Sequence, residues 1–229
     1  MEPLPDLDQV VPRGLHVRER DGRFLLGFAS AVDNVGSRAM VIEGRRARTT
    51  DAMRVWQLVG ARRYATRGVL RYVTSEDHAH WHLLRFESYE LRGVHGGAAG
   101  RDAKTGFCLT DSFDPRPETL AGEPRRAVWT NNCGRRRGQA LRMRAGISIG
   151  FRDFYKPFLE GQHVDLTRLP AGRYRLVHRA NPARILREAD YRNNAASVLL
   201  RIRWPRGFSH RPAVRILARC PQSDRCPAK

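Results

Sequence analysis

The chain has 229 residues, with 42 Lys and Arg against 23 Asp and Glu, and a formal charge of +19 at neutral pH. That length suffices for one large β domain or two small ones, and no apolar run approaches the roughly eighteen residues that a membrane helix needs. An arginine excess of this size points to a polyanionic neighbour. The arginines are scattered, however, as in RRAR, EPRR and GRRRG, and no helix-turn-helix, zinc-finger or RNA-recognition pattern gathers them, so nucleic acid is not the expected partner. The opening MEPLPDLDQ lacks the positive and then apolar order of a secretory leader.

Period-two alternation recurs along the chain, while helical spacing seldom lasts two turns, which predicts strands rather than helices. RFLLGFASAV, 23 to 32, reads as a strand ending in the turn signal Asp33-Asn34-Val35-Gly36. GVLRYVT, 68 to 74, is another. HLLRFESYEL, 82 to 91, places Leu84, Phe86 and Ser88 on one face and Leu83, Arg85, Glu87 and Tyr89 on the other. Residues 93 to 145, rich in Gly, Arg, Pro and Asp, predict a long loop with little periodicity beyond FCLTD, and a loop of that length in a compact domain is uncommon unless functional. GRYRLVHRA, 172 to 180, and ASVLLRIRW, 196 to 204, read as half-buried antiparallel strands, and the chain from Ser209 as a tail. Many short strands predict an all-β, sandwich-like fold, and no linker divides residues 1 to 229 into two domains.

The four cysteines fall into a pair 25 apart, Cys108 and Cys133, and a pair six apart, Cys220 and Cys226, neither with zinc-knuckle spacing. The even count favours two disulfides and an oxidising compartment; four buried thiols are the alternative.

Three of the eight histidines, His78, His80 and His82, occupy alternate positions just where a strand should begin. A triplet of this kind arises by chance in roughly one such sequence in a hundred. Imidazole suits copper, zinc, iron and nickel. On a straight strand the outer two would stand about 13 Å apart, so one ion requires the backbone to curl or bulge near residues 77 to 81.

HAHWHLLRFESYELR closely resembles the copper-site segment of the lysyl oxidase catalytic domain, WHxCHxHYH followed by FxxYxLL. AKTGFCLTD, 103 to 111, resembles that family's HKASFCLED, and GISIGFRDFY, 146 to 155, resembles GLSPGCYDTY. HVDLTRLPAGRYRLVHRANP and EADYRNN are similar to the WIDIT, KPGNY, VNP and ESDYTNN blocks, and the likeness begins at LPDL, 4 to 7. The last of these blocks also resemble adhesion-type sandwiches and speak mainly to fold; the ordered His, Lys and Tyr segments speak to chemistry.

The resemblance implies copper held by His78, His80 and His82, and a lysine tyrosylquinone made from Lys104 and Tyr155. It implies oxidation of peptidyl lysine or another primary amine by O2 to an aldehyde, with ammonia and hydrogen peroxide released. Residue chemistry agrees. Lys104 is one of only three lysines, with Lys156 and Lys229, and arginine could not replace it, because a guanidinium stays protonated and attacks poorly. A general base is also required; Asp77, Asp111, Asp153 and His163 all lie near the motifs, and Asp153, two residues before Tyr155, is favoured. Several family cysteines are absent, among them those at Asp77 and Phe151, and the Cys108 and Cys133 positions have other partners in the family. The expected location is extracellular or in the cell envelope, where anionic polymers are further expected partners. The competing expectation is an inactive metal- or polyanion-binding sandwich.

Overall fold

The structure, a computed structural model, describes residues 2–75, 79–101, 106–157 and 159–228. Sixteen strands and no helix are found among them, and they form three antiparallel sheets. His78, Asp77 and Lys104 lie outside the described residues.

The first sheet is built on β3 (Arg23–Asn34), which pairs with β1 (Leu7–Gln9), β2 (Arg13–Arg20), β12 (Arg152–Tyr155) and β13 (His163–Asp165). Eleven of its twelve residues are buried, as expected of a strand with partners on both edges and cover on both faces. The second sheet runs in the order β10 (Gly106–Phe107), β7 (Ala79–Leu84), β6 (Arg62–Thr74), β5 (Met53–Val59), β4 (Met40–Arg45) and β11 (Arg142–Ile147). The third runs β16 (Ala213–Cys220), β15 (Ala195–Arg203), β14 (Gly172–Ala180), β8 (Glu87–Gly93) and β9 (Ala98–Arg101). One apolar core collects side chains from all three, including Phe28, Leu83, Phe107, Tyr155, Leu176 and Val198.

The fold is therefore all-β and sandwich-like, with four local departures from expectation. Residues 82 to 91 are not one strand. Arg85 adopts φ 60°, the chain turns, and β7 ends at Leu84 before β8 starts at Glu87. The turn passes the chain from the second sheet to the third with the same parity facing inward: β7 buries Trp81 and Leu83, and β8 buries Glu87, Tyr89 and Leu91. Secondly, the loop of 93 to 145 carries β9, β10 and β11. Its irregular middle is tied down by side chains instead of a ladder: Asp111 accepts the N–H groups of Val128 and Trp129 at 2.8 and 3.1 Å, and Arg46 donates to the Ala140 carbonyl at 2.8 Å. Thirdly, the tail is an edge strand, β16, paired along β15. Finally, MVIEGR and MRVWQLV form the middle of the second sheet, although sequence alternation did not single them out. Both predicted disulfides are present, with Cα separations of 5.7 Å for Cys108–Cys133 and 5.4 Å for Cys220–Cys226.

Candidate active site

The shortest strand organises the site. Gly106 of β10 lies opposite Leu84 and Phe107 opposite Leu83, which puts the two-residue strand along β7. A Cβ at position 106 would come within 2.7 Å of the His82 Cβ and 2.9 Å of its Nδ1, so only glycine lets β10 lie against that imidazole. The next side chain, Phe107, meets the Tyr155 ring edge to face, centroids 5.4 Å apart. The carbonyl of Cys108 then accepts the Tyr155 hydroxyl at 2.8 Å. Three consecutive residues thus touch a histidine of the triplet and the tyrosine. The Cys108–Cys133 disulfide holds them in place, and the Cys133 carbonyl accepts the Trp81 N–H of β7 at 3.0 Å.

His80 and His82 bring their Nε2 atoms to 2.8 Å from each other. Two nitrogens bound at right angles to one ion, each about 2.0 Å from it, would stand roughly 2.8 Å apart, so the pair fits two ligands of one metal without a bulge between them. Among the described residues no group of three or more His, Cys, Asp and Glu is suited to hold a metal ion.

Tyr155 and Asp153 alternate along β12, opposite Ser30 and Val32 of β3, and both face the core at 7 % and 1 % exposure. The β12 strand is clamped by the Arg152–Asp33 ion pair, with an Arg152 Nη2 to Asp33 Oδ2 distance of 2.6 Å. The Tyr155 hydroxyl is 3.0 Å from Asp153 Oδ2. Burial, and then the charges of Asp153, Glu87 and Tyr89, push its pKa well above the ordinary phenol value.

Sequence reasoning passed over the wall behind Tyr155. Glu87 is buried; its Oε2 accepts the Ser30 hydroxyl at 2.9 Å and faces the Tyr89 hydroxyl at 3.4 Å. The Ser30 Oγ is also 3.2 Å from His178 Nδ1. Because the single Ser30 proton goes to Glu87, His178 must be the tautomer that donates from Nδ1. Full burial lowers the His178 pKa to about 3, so the ring is neutral at working pH, wedged beside Phe28 and Tyr89 at 4.7 and 4.4 Å. Its Nε2 has no hydrogen-bond partner among the described residues. A usable signal existed: Glu87 and Tyr89 alternate, and His178 falls on the same parity as the apolar Tyr174 and Leu176, both buried.

The other candidate bases differ in setting. Asp111 is buried and committed, accepting the Ser148 N–H and hydroxyl, both at 2.7 Å, besides its two loop amides. His163 lies on β13 opposite Gly27, its pKa lowered by burial and then by the Arg18 charge.

Against known proteins, the family model described as lysyl oxidase matches residues 14–204. Lysyl oxidase homolog 2 of Bos taurus is 27 % identical over 124 residues, and lysyl oxidase homolog 3A of Danio rerio 30 % over 125. In each case the match takes in 54 % of this chain and 14 % or 15 % of the relative, so this chain spans only a small part of those proteins' length.

Proposed function

The chain belongs to the lysyl oxidase family, and from that premise we propose that it is a copper- and quinone-dependent oxidase of peptidyl lysine or other primary amines. The observation that carries the reading is the contact set of β10: Gly106 against His82, Phe107 and the Cys108 carbonyl against Tyr155. Lys104 precedes Gly106 by two residues, a length of chain spanning at most about 7 Å. In this reading the sequence order puts Lys104 next to the stretch that touches His82 and Tyr155.

In this reading His78, His80 and His82 hold copper, and Lys104 and Tyr155 supply the lysine tyrosylquinone. When formed, these groups provide the oxidising equivalents and the electrophilic carbonyl with which amine, O2 and water become aldehyde, hydrogen peroxide and ammonia. The remaining work falls to this chain's side chains. Asp153 Oδ2, bonded to the Tyr155 hydroxyl, receives the phenol proton and serves as the general base of turnover. Glu87 and Ser30 form a second polar layer behind the ring, and Phe107 excludes water from its edge. The two disulfides support an extracellular or envelope location.

The test is mass spectrometry of copper-loaded protein, intact and as peptides. A Lys104 to Tyr155 crosslink that survives reduction and denaturation is expected, together with quinone absorbance, phenylhydrazine binding and peroxide release from an amine. Lys104→Arg and Tyr155→Phe should lose all of these. Full activity in both variants would sink the cofactor assignment, and copper binding with neither crosslink nor turnover would leave an inactive metal-binding sandwich.

A further inference from the structure

The second sheet contains eight arginines on its strands and one carboxylate, Glu43. Cross-strand partners share a face of a sheet, so the pairing register shows how the arginines line up. Arg142 lies opposite Arg45, Arg45 opposite Arg54, and Arg54 opposite Val69. Two residues further along β6, on the same face, Arg71 lies opposite His82. One guanidinium per strand therefore crosses the outer face from β11 to β6 and stops beside a histidine of the proposed site. Arg54, Arg71 and Arg142 are exposed, and Arg45 and Arg142 keep 43 % and 51 % of their side-chain surface in solvent.

The single carboxylate does not neutralise this row; it orders it. Glu43 is 1 % exposed and accepts hydrogen bonds from Arg45 at 2.6 Å and from Arg142 and Arg144 at 2.8 Å, with Arg63 at 3.8 Å. Burial alone would raise its pKa, but the bonds from Arg144, Arg142 and Arg45 overcome that and hold it at about 2. Four half-exposed cations are thus fixed around one anion, with three positive charges in excess. Arg63 is further immobilised over the Trp56 ring at 4.4 Å. Ordering the guanidinium groups beforehand removes part of the entropy cost of binding an anion, and Arg is suited to bidentate contact with carboxylates.

We infer that this face docks the acidic flank of a lysyl peptide, laid across the strands with its lysine directed to the site edge at β7. The inference rests on the amine oxidase reading and names its substrate class. Strands are spaced about 4.8 Å apart, so the row reaches roughly 19 Å from β7 to β11, and an extended peptide covers that in about six residues. Substrate carboxylates are therefore expected about two to six residues from the reacting lysine.

A fluorescent peptide with a central lysine and glutamates at those positions tests this by anisotropy, with and without copper, beside an isomer whose glutamates lie ten or more residues away. A third probe, a sulfated polysaccharide, reports general polyanion binding. Tight, salt-sensitive binding of the first peptide is expected. It should weaken at least tenfold in Arg54→Glu and in Arg54→Glu/Arg142→Gln, and stay unchanged in Arg201→Glu/Arg215→Glu, a cross-strand pair on the third sheet. Turnover of a small uncharged-chain amine should be the same in all three variants. The proposal is overturned if the two peptides bind alike, if both sheets' variants weaken binding equally, or if only the polysaccharide binds. Because binding is read without turnover, a protein that binds the peptide yet oxidises no amine defeats the oxidase reading and leaves the docking face standing.

Discussion

Two of the regions that bury carboxylates surround them differently. Beside Tyr155, the Asp153 and Glu87 carboxylates face hydroxyls, those of Tyr155 and Ser30. At the seam between β1 and the segment after β14, Glu188 receives only N–H groups, from Leu7 at 2.9 Å, Asn181 at 2.5 Å and Asn194 at 2.9 Å. A hydroxyl can pass a proton to a carboxylate, whereas an amide N–H cannot at any working pH. The first arrangement can pass a proton, as the proposed function requires, and the second can only hold chain segments together. Charge decides the titration: Glu188, buried among neutral donors, is raised to about 7 by burial, while Glu43 among guanidiniums stands at about 2.

The largest effect that would break this contrast lies in the site. Asp153→Asn keeps the shape and removes the proton acceptor, so in the proposed oxidase amine turnover should fall by about 10²- to 10⁴-fold, with melting temperature and any copper content little changed. Turnover within a few-fold of the parent would move the base role elsewhere.

Next come the pH limbs of stability. The folded pKa of Glu188 lies above its unfolded value of 4.5, so its contribution is greatest below pH 4.5 and falls as pH rises to about 7, a change of about 3 kcal/mol. The folded pKa of His178 lies below its unfolded 6.5, so its contribution is complete above pH 6.5 and is lost as pH falls toward 3. Between pH 4.5 and 6.5 the two slopes oppose one another. Denaturant unfolding of Glu188→Gln and His178→Asn should expose each slope separately, with Glu188→Gln gaining on the parent as pH rises and His178→Asn gaining as it falls. Parallel curves would contradict both assignments.

A smaller effect is expected from Ser30→Ala, which takes a hydrogen-bonding partner from both Glu87 and His178. A loss of about 1 to 3 kcal/mol, or several degrees in melting temperature, should follow. Smallest is Glu43→Gln. Its arginines are about half exposed and can turn to water, so solvent screening should keep the cost near 1 kcal/mol or less. The measurable change is that stability below pH 4.5 no longer declines as this carboxyl is protonated.

Much of the fold was legible because alternation reports burial directly. The β3, β14 and β15 strands appear nearly as the pattern placed them, and Ala196, Val198, Leu200 and Ile202 are fully buried. The pattern failed between residues 82 and 91, where a turn at the left-handed residue Arg85 splits one alternating run between two sheets, and nothing in the residue type foretells that, since arginine rarely adopts such a conformation. It also missed β4, whose outward Glu43 is hidden by Arg45 of its own strand and by arginines of β6 and β11.

The sequence by itself determined the all-β class, the cysteine pairs and the order of histidine, lysine and tyrosine segments, because these depend on residue type and short spacing. Tertiary structure decided that Gly106 must be small enough for His82, that the Cys108 carbonyl meets the Tyr155 hydroxyl, and that Ser30, Glu87 and His178 form one wall. Those contacts join residues as many as 148 apart. Only the packing of sheets against one another brings such distant positions together, and no local pattern encodes which of them will meet.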